Sequence, residues 1–132
     1  MQNGLDVEAA FIDAGFAQVF RTVLYFTSEK KAELSYSVKP VKPSMVGVVK
    51  GDPELLPYLV TQLQNPLLVV QATEQIKTIV WQKTIANVVF NSICPLLEQD
   101  NGIFLRSPEA VTLAEKLIAE CIQVAKAEGV EL

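Results

Sequence analysis

Three polar residues in the second half of the chain are spaced for joint work. Lys83, Asn87 and Asn91 recur at four-residue intervals inside residues 76–97, IKTIVWQKTIANVVFNSICPLL. That stretch is long enough for about six helical turns, and Pro95 closes it. At 100° per residue the three side chains form one stripe, each roughly 6 Å along the axis from the last. A lysine at one end of an asparagine-lined stripe suits a carbonyl or carboxylate ligand. The ammonium brings a point charge and three donors to a developing alkoxide, and as a general acid it can release a proton. Asparagine amides orient hydroxyl or amide groups without adding charge. The competing structural account has the two asparagines bonding neighbouring elements while Lys83 reaches out to solvent. A plain solvated face would carry Glu, Lys, Gln or Arg, which form helix better than Asn.

The helix must be held by its other side. Trp81, Ile85, Val88, Val89, Ile93 and Leu96 gather opposite the stripe, with Ile76, Val80, Phe90 and Cys94 beside it. A second long helix follows from Ser107-Pro108-Glu109, a cap with proline at the first helical position, and ends at Gly129. Its expected buried side is Val111, Ala114, Leu117, Ile118, Cys121 and Val124, with Glu120 at the border. Between the two helices, residues 99–106 read as a loop with its turn at Asp100-Asn101-Gly102.

The first half reads as small strands and short helices. Asp6 is placed to cap a helix over residues 7–14, which Gly15 ends. Residues 19–27 are β-branched and aromatic, hence a strand. Residues 33–38 alternate, with Leu34, Tyr36 and Val38 on one face. Two prolines in Lys39-Pro40-Val41-Lys42-Pro43 argue for a sheet edge or loop. Residues 45–49 form a strand, Gly51-Asp52-Pro53 caps a helix to about residue 64, and residues 67–71 form a short apolar strand. The whole is α+β: a small mixed sheet with flanking helices, then a pair of long helices.

The totals exclude several classes. The 132 residues fit one ordinary domain, with half of them hydrophobic and a net charge of −4. No basic cluster marks a nucleic-acid surface. No apolar run approaches the ~18 residues that cross a bilayer, and the first residues lack a secretory pattern, so a cytoplasmic chain is expected. Histidine is absent, which removes Ser-His and Cys-His nucleophile pairs and most zinc chemistry; no metal site is expected. Cys94 and Cys121 are expected as free thiols. Neither a G-x-G-x-x-G nor a P-loop pattern occurs, so these residues by themselves give no argument for a nucleotide site.

Three features together resemble the middle of the ketopantoate reductase (2-dehydropantoate 2-reductase) family. They are the turn Gln2-Asn3-Gly4, the run Trp81-x-Lys83-x3-Asn87-x3-Asn91, and Asn101-Gly102 followed by Glu120 and the VAKAEGV ending. The resemblance implies that residues 1–73 are the C-terminal part of a Rossmann-type nucleotide-binding domain, and that residues 74–132 open the all-helical C-terminal domain. It implies NADPH-dependent reduction of ketopantoate to pantoate, on the route to pantothenate and coenzyme A. Lys83 would then be the general acid, Asn87 and Asn91 would hold the substrate, and Asn3 would lie beside the nicotinamide. Glu120 matches a recurrent family position without an assigned job. The family's glycine-rich turn would precede Met1 and further active-site helices would follow Leu132, so this chain is expected to be a central piece that does not bind NADPH tightly or turn over alone. A homodimer is expected, because the long helices carry more apolar surface than one copy can cover. The alternative to an enzyme segment is a non-catalytic helical interaction or oligomerisation module.

Overall fold

The computed structural model describes residues 4–132. Their elements run in the order α1 (Ala9–Asp13), β1 (Val19–Val23), β2 (Phe26–Ala32), β3 (Ser35–Pro40), β4 (Ser44–Lys50), α2 (Leu56–Leu63), β5 (Val70–Ala72), α3 (Ile76–Leu96), α4 (Ile103–Arg106) and α5 (Pro108–Ala127). They form two compact units. One is Asp6–Ile76; the other is Lys77–Leu132 with the described residues ahead of Asp6. The architecture is the expected mixture of a small mixed sheet and helices.

In the first unit a three-stranded sheet has the order β1-β4-β5, with β1 antiparallel and β5 parallel to β4. Strands β2 and β3 make a separate antiparallel pair. The two pairs are consecutive stretches of one long hairpin, bent at Leu24-Tyr25 on one strand and at residues 41–43 on the other. At the bend the Val41 N–H donates to the Tyr25 carbonyl (2.9 Å) and the Tyr25 N–H to Ser44 Oγ (3.2 Å). The expected strand over residues 19–27 is therefore broken. The alternation at Leu34, Tyr36 and Val38 exists but buries nothing: those side chains are 95, 60 and 45 % exposed. Alternation identifies a strand; it does not say that anything packs on the apolar side.

Helix α2 covers one face of the three-stranded sheet, where Val46, Val70 and Leu56 are buried among Phe20, Val48, Leu59, Val60, Leu63 and Leu68. Its start follows expectation: Asp52 Oδ1 accepts from the Glu54 N–H at 2.9 Å, and Pro53 opens a 3₁₀ turn that leads into the helix. On the opposite face of β1, Arg21 lies between Val19 and Val23 and pairs with Glu8 at 3.1 Å. The expected Asp6 cap is not formed. Asp6 itself takes φ 54°, and α1 is only five residues long with no side-chain cap. Gly15 does end it with a positive φ of 82°.

Gly47 of β4 marks a close approach. A Cβ there would lie 2.5 Å from Ile76 Cβ and 2.7 Å from the Thr73 carbonyl oxygen, both fixed by their own elements. Gly47→Ala should therefore lose about 1–3 kcal/mol of stability. Urea unfolding followed by far-UV circular dichroism checks it, and an unchanged midpoint would contradict the packing described.

In the second unit α3 and α5 pack antiparallel. Trp81 and Ile85, early in α3, are buried with Ala125 and Val130 at the far end of α5, beside Ile118, Cys121 and Ile122. Val89 and Ile93, late in α3, meet Ala114 near the start of α5, with Phe104 of α4 and Leu117 alongside. Ser107 Oγ caps α5 by accepting from the Ala110 N–H (3.2 Å), and Gly129 ends it at φ 72°. The contact seam of α5 runs through its small residues Ala110, Ala114 and Ala125, all buried, while Val124 is 55 % exposed. Of the expected face, Ala114, Leu117, Ile118 and Cys121 lie in these clusters, while Val124 gives way to Ala125.

Candidate functional site

The rotation of α3 is set by its buried side. With Trp81, Ile85, Val89 and Ile93 in the core, Lys83 and Asn87 are left half-buried and Asn91 exposed, on consecutive turns. Ile76, Val80 and Cys94 beside them are buried. Of the expected apolar side, Leu96 is not in the core: it is 76 % exposed, beyond the last contact with α5. Helix α3 ends at Leu96, one residue past the proline expected to close it. Pro95 lies inside its last turn, and Glu98, at φ 51°, makes the stop while the Gln99 N–H returns to the Cys94 carbonyl at 2.9 Å.

The loop expected over residues 99–106 contains the short helix α4, and this changes what surrounds the stripe. Asp100 Oδ1 accepts from the Gly102 N–H at 2.7 Å and from Arg106 Nη2 at 3.0 Å, closing the turn. The Arg106 hydrogen bond, then the Gly102 N–H, then the Arg106 charge hold the Asp100 carboxyl below the ordinary carboxylate range. Their contribution is present above that range and fades as acid protonates the group; fully exposed, it is small. The turn sets Asn101 against the end of α3, where the Cys94 thiol donates to its Oδ1 at 3.4 Å. Cys94 sits about 20° around the helix from Lys83, so it belongs to the stripe's own azimuth. Asn101 is thereby a third amide at the C-terminal end of the stripe. The sequence showed the turn but not its partner, since an i to i+7 contact across a helix end leaves no periodic signal.

Phe90 and Phe104 stack edge to face with centroids 5.5 Å apart, tying α4 to the same end of α3. Lys77 Nζ donates to the Glu128 carbonyl (2.9 Å) at the other end. Glu120 is exposed on α5. Cys94 and Cys121 are free thiols. Among the described residues no group of His, Cys, Asp or Glu could hold a metal ion, and no helix is long and apolar enough to cross a membrane. Asn3, the residue expected beside a nicotinamide, lies outside the described residues.

Residues 75–132, which contain Lys83, Asn87, Asn91, Asn101 and Glu120, match the family model described as Ketopantoate reductase PanE/ApbA C terminal. The 2-dehydropantoate 2-reductase of Pyrobaculum aerophilum is 38 % identical over 63 residues, 48 % of this chain and 23 % of that protein. The crystal structure of the 2-dehydropantoate 2-reductase of Geobacter metallireducens superposes with a TM-score of 0.80 at 22 % identity, over 100 % of this chain and 44 % of that one. The dimeric ketopantoate reductase of Staphylococcus aureus gives 0.67 at 23 % identity, over 86 % and 41 %. These two likenesses establish the fold. The match over residues 75–132 supports a ketopantoate reductase family segment there, and the chain spans less than half the length of each of these relatives.

Proposed function

We propose that this chain carries the substrate-holding part of an NADPH-dependent 2-dehydropantoate 2-reductase, working in the cytoplasm on the route to pantothenate and coenzyme A. One observation carries the reading: the Lys83-Asn87-Asn91 stripe is turned out of the helical core, inside the span that matches the family. Reducing a keto carbon leaves its oxygen in need of a proton. Lys83 supplies that proton and relieves the developing charge, while Asn87 and Asn91 hold the acid's hydroxyl and carboxylate groups. Asn3 lies by the nicotinamide in this reading. Residues 1–73 complete a nucleotide-binding domain, and residues 74–132 open the helical one. The test is to graft residues 75–132 into the 2-dehydropantoate 2-reductase of Pyrobaculum aerophilum in place of its corresponding segment. Ketopantoate-dependent oxidation of NADPH by the chimera supports the proposal; a folded chimera that binds NADPH but ignores ketopantoate overturns it.

The strand-to-helix turn at Asp52 does not suit a dinucleotide's phosphates. At the strand-to-helix turn Gly51-Asp52-Pro53, Asp52 itself takes the Glu54 N–H, and Gln18 Oε1 accepts from the Asp52 N–H at 2.7 Å. An acid already occupies the donors that would face an anion. This chain alone should therefore show no saturable NADPH binding at low micromolar concentration, as read by calorimetry or by nicotinamide fluorescence. Saturation there would contradict the assignment of the phosphate site to residues outside this chain.

The same reading makes the working form a homodimer. Leu105 is 93 % exposed, Leu96 76 % and Leu113 43 %, and each such side chain left in water forgoes about 1.5–3 kcal/mol of burial. Light scattering behind a sizing column should give twice 14.5 kDa. A single-copy mass across micromolar concentrations would contradict the dimer.

A further inference from the structure

We propose that Cys94 is a positioning residue, whose thiol fixes the Asn101 amide with its oxygen toward α3 and its NH2 group outward. This rests on the reading of the Lys83-Asn87-Asn91 stripe as the ligand site. Cys94 is 6 % exposed and shares the stripe's azimuth, and its Sγ–H donates to Asn101 Oδ1 at 3.4 Å. The backbone on both sides of Asn101 is held by a separate clasp: Asp100 Oδ1 receives the Gly102 N–H (2.7 Å) and Arg106 Nη2 (3.0 Å), and the Asp100 carbonyl receives the Ile103 N–H (3.0 Å). Turn and thiol thus act on different parts of one residue. The clasp sets where its Cα lies, and the thiol sets which way its planar amide faces. A primary amide has an acceptor on one edge and two donors on the other. Engaging the oxygen from the helix side presents the donors to an acceptor-rich ligand group, a carboxylate or a hydroxyl, at the end of the stripe away from Lys83. A thiol is a weak donor, but this one is buried, which limits competition from water.

The experiment is nuclear magnetic resonance on the isotope-labelled full chain, reading the side-chain NH2 signals of Asn101. In the unaltered chain they are expected as a dispersed pair. Cys94→Ala should collapse them toward the positions of a freely turning amide. Cys94→Ser, which keeps a donor with a shorter reach, should restore a dispersed pair. Backbone amides along Pro108–Ala127 should stay in place in both, showing that the helix pair is intact. Unmoved Asn101 signals in Cys94→Ala, or a serine variant indistinguishable from the alanine one, would reduce Cys94 to a space-filling role and overturn the proposal. Ketopantoate is then added to the labelled chimera. Shifts at Asn101 that Cys94→Ala abolishes are the expected result. Dispersion that depends on Cys94, but no shift at Asn87, Asn91 or Asn101 with ketopantoate, would remove the functional reading while the thiol–amide coupling stood.

Discussion

Replacing Lys83 with alanine should lower kcat for ketopantoate reduction by a factor on the order of 10² to 10⁴ in the chimera carrying residues 75–132, the usual worth of one general acid, the role proposed for it. The expectation follows from position as well as residue type. Lys83 is half-buried on α3, two residues from Trp81 and on the next turn from Val80, both of which are in the core. Its backbone is therefore held by packed neighbours. Asn87→Ala and Asn91→Ala act differently: each removes an orienting amide, so KM rises more than kcat falls. Steady-state NADPH oxidation over a range of ketopantoate concentrations separates the two parameters. Near-normal turnover by Lys83→Ala would return the stripe to a structural role, with the asparagines bonding neighbouring elements and the lysine reaching for water.

The largest stability effect is expected at the same helix. Trp81 is the chain's single tryptophan. It is 6 % exposed and lies in the cluster with Ile85, Ala125 and Val130, where the start of α3 meets the end of α5. Trp81→Ala should lose about 3–5 kcal/mol, combining lost burial with the cavity left among neighbours that cannot close over it. That is a large share of the stability of an ordinary domain. Urea titration followed by circular dichroism measures the loss; fluorescence would not serve, because the substitution removes the probe. A loss under about 1 kcal/mol would mean that the helix pair is held elsewhere, by the cluster of Val89, Ile93 and Ala114.

The parts legible in the sequence were those fixed by local chemistry. Ser107-Pro108 and Gly129 delimit α5 because caps act within one turn, and Asp52-Pro53 opens the turn into α2 for the same reason. The core side of α3 followed from its 3.6-residue period, and that orientation turned the Lys83-Asn87-Asn91 stripe outward. What the sequence hid depends on contacts between distant residues. Leu34, Tyr36 and Val38 alternate as a half-buried strand would, yet no described element covers them. The expected face of α5 fails at its far end, where Ala125 rather than Val124 enters the seam, because an alanine carries little hydrophobic signal. Asp6 has the right residue type for a cap but the wrong backbone, with φ at 54°. In the sequence Asn101 reads as a turn residue and as part of the family resemblance, with nothing to tie it to the stripe. Its place at the end of the stripe appears only when α4 and the Asp100–Arg106 pair fold the turn back onto Cys94.

Whether the stripe is where the keto acid sits is the central claim, and binding tests it more directly than turnover does. The measurement is a calorimetric titration of ketopantoate into the cofactor-loaded chimera, first unaltered and then with Lys83, Asn87 and Asn91 all replaced by alanine. In the proposed site each of the three would supply a charge-assisted or neutral hydrogen bond worth roughly 0.5–3 kcal/mol. Their joint loss should weaken binding by a factor on the order of 10² or more, since every 1.4 kcal/mol is tenfold. Saturable binding by the unaltered chimera that disappears from the triple variant is the predicted result, and equal affinity in the two would contradict it.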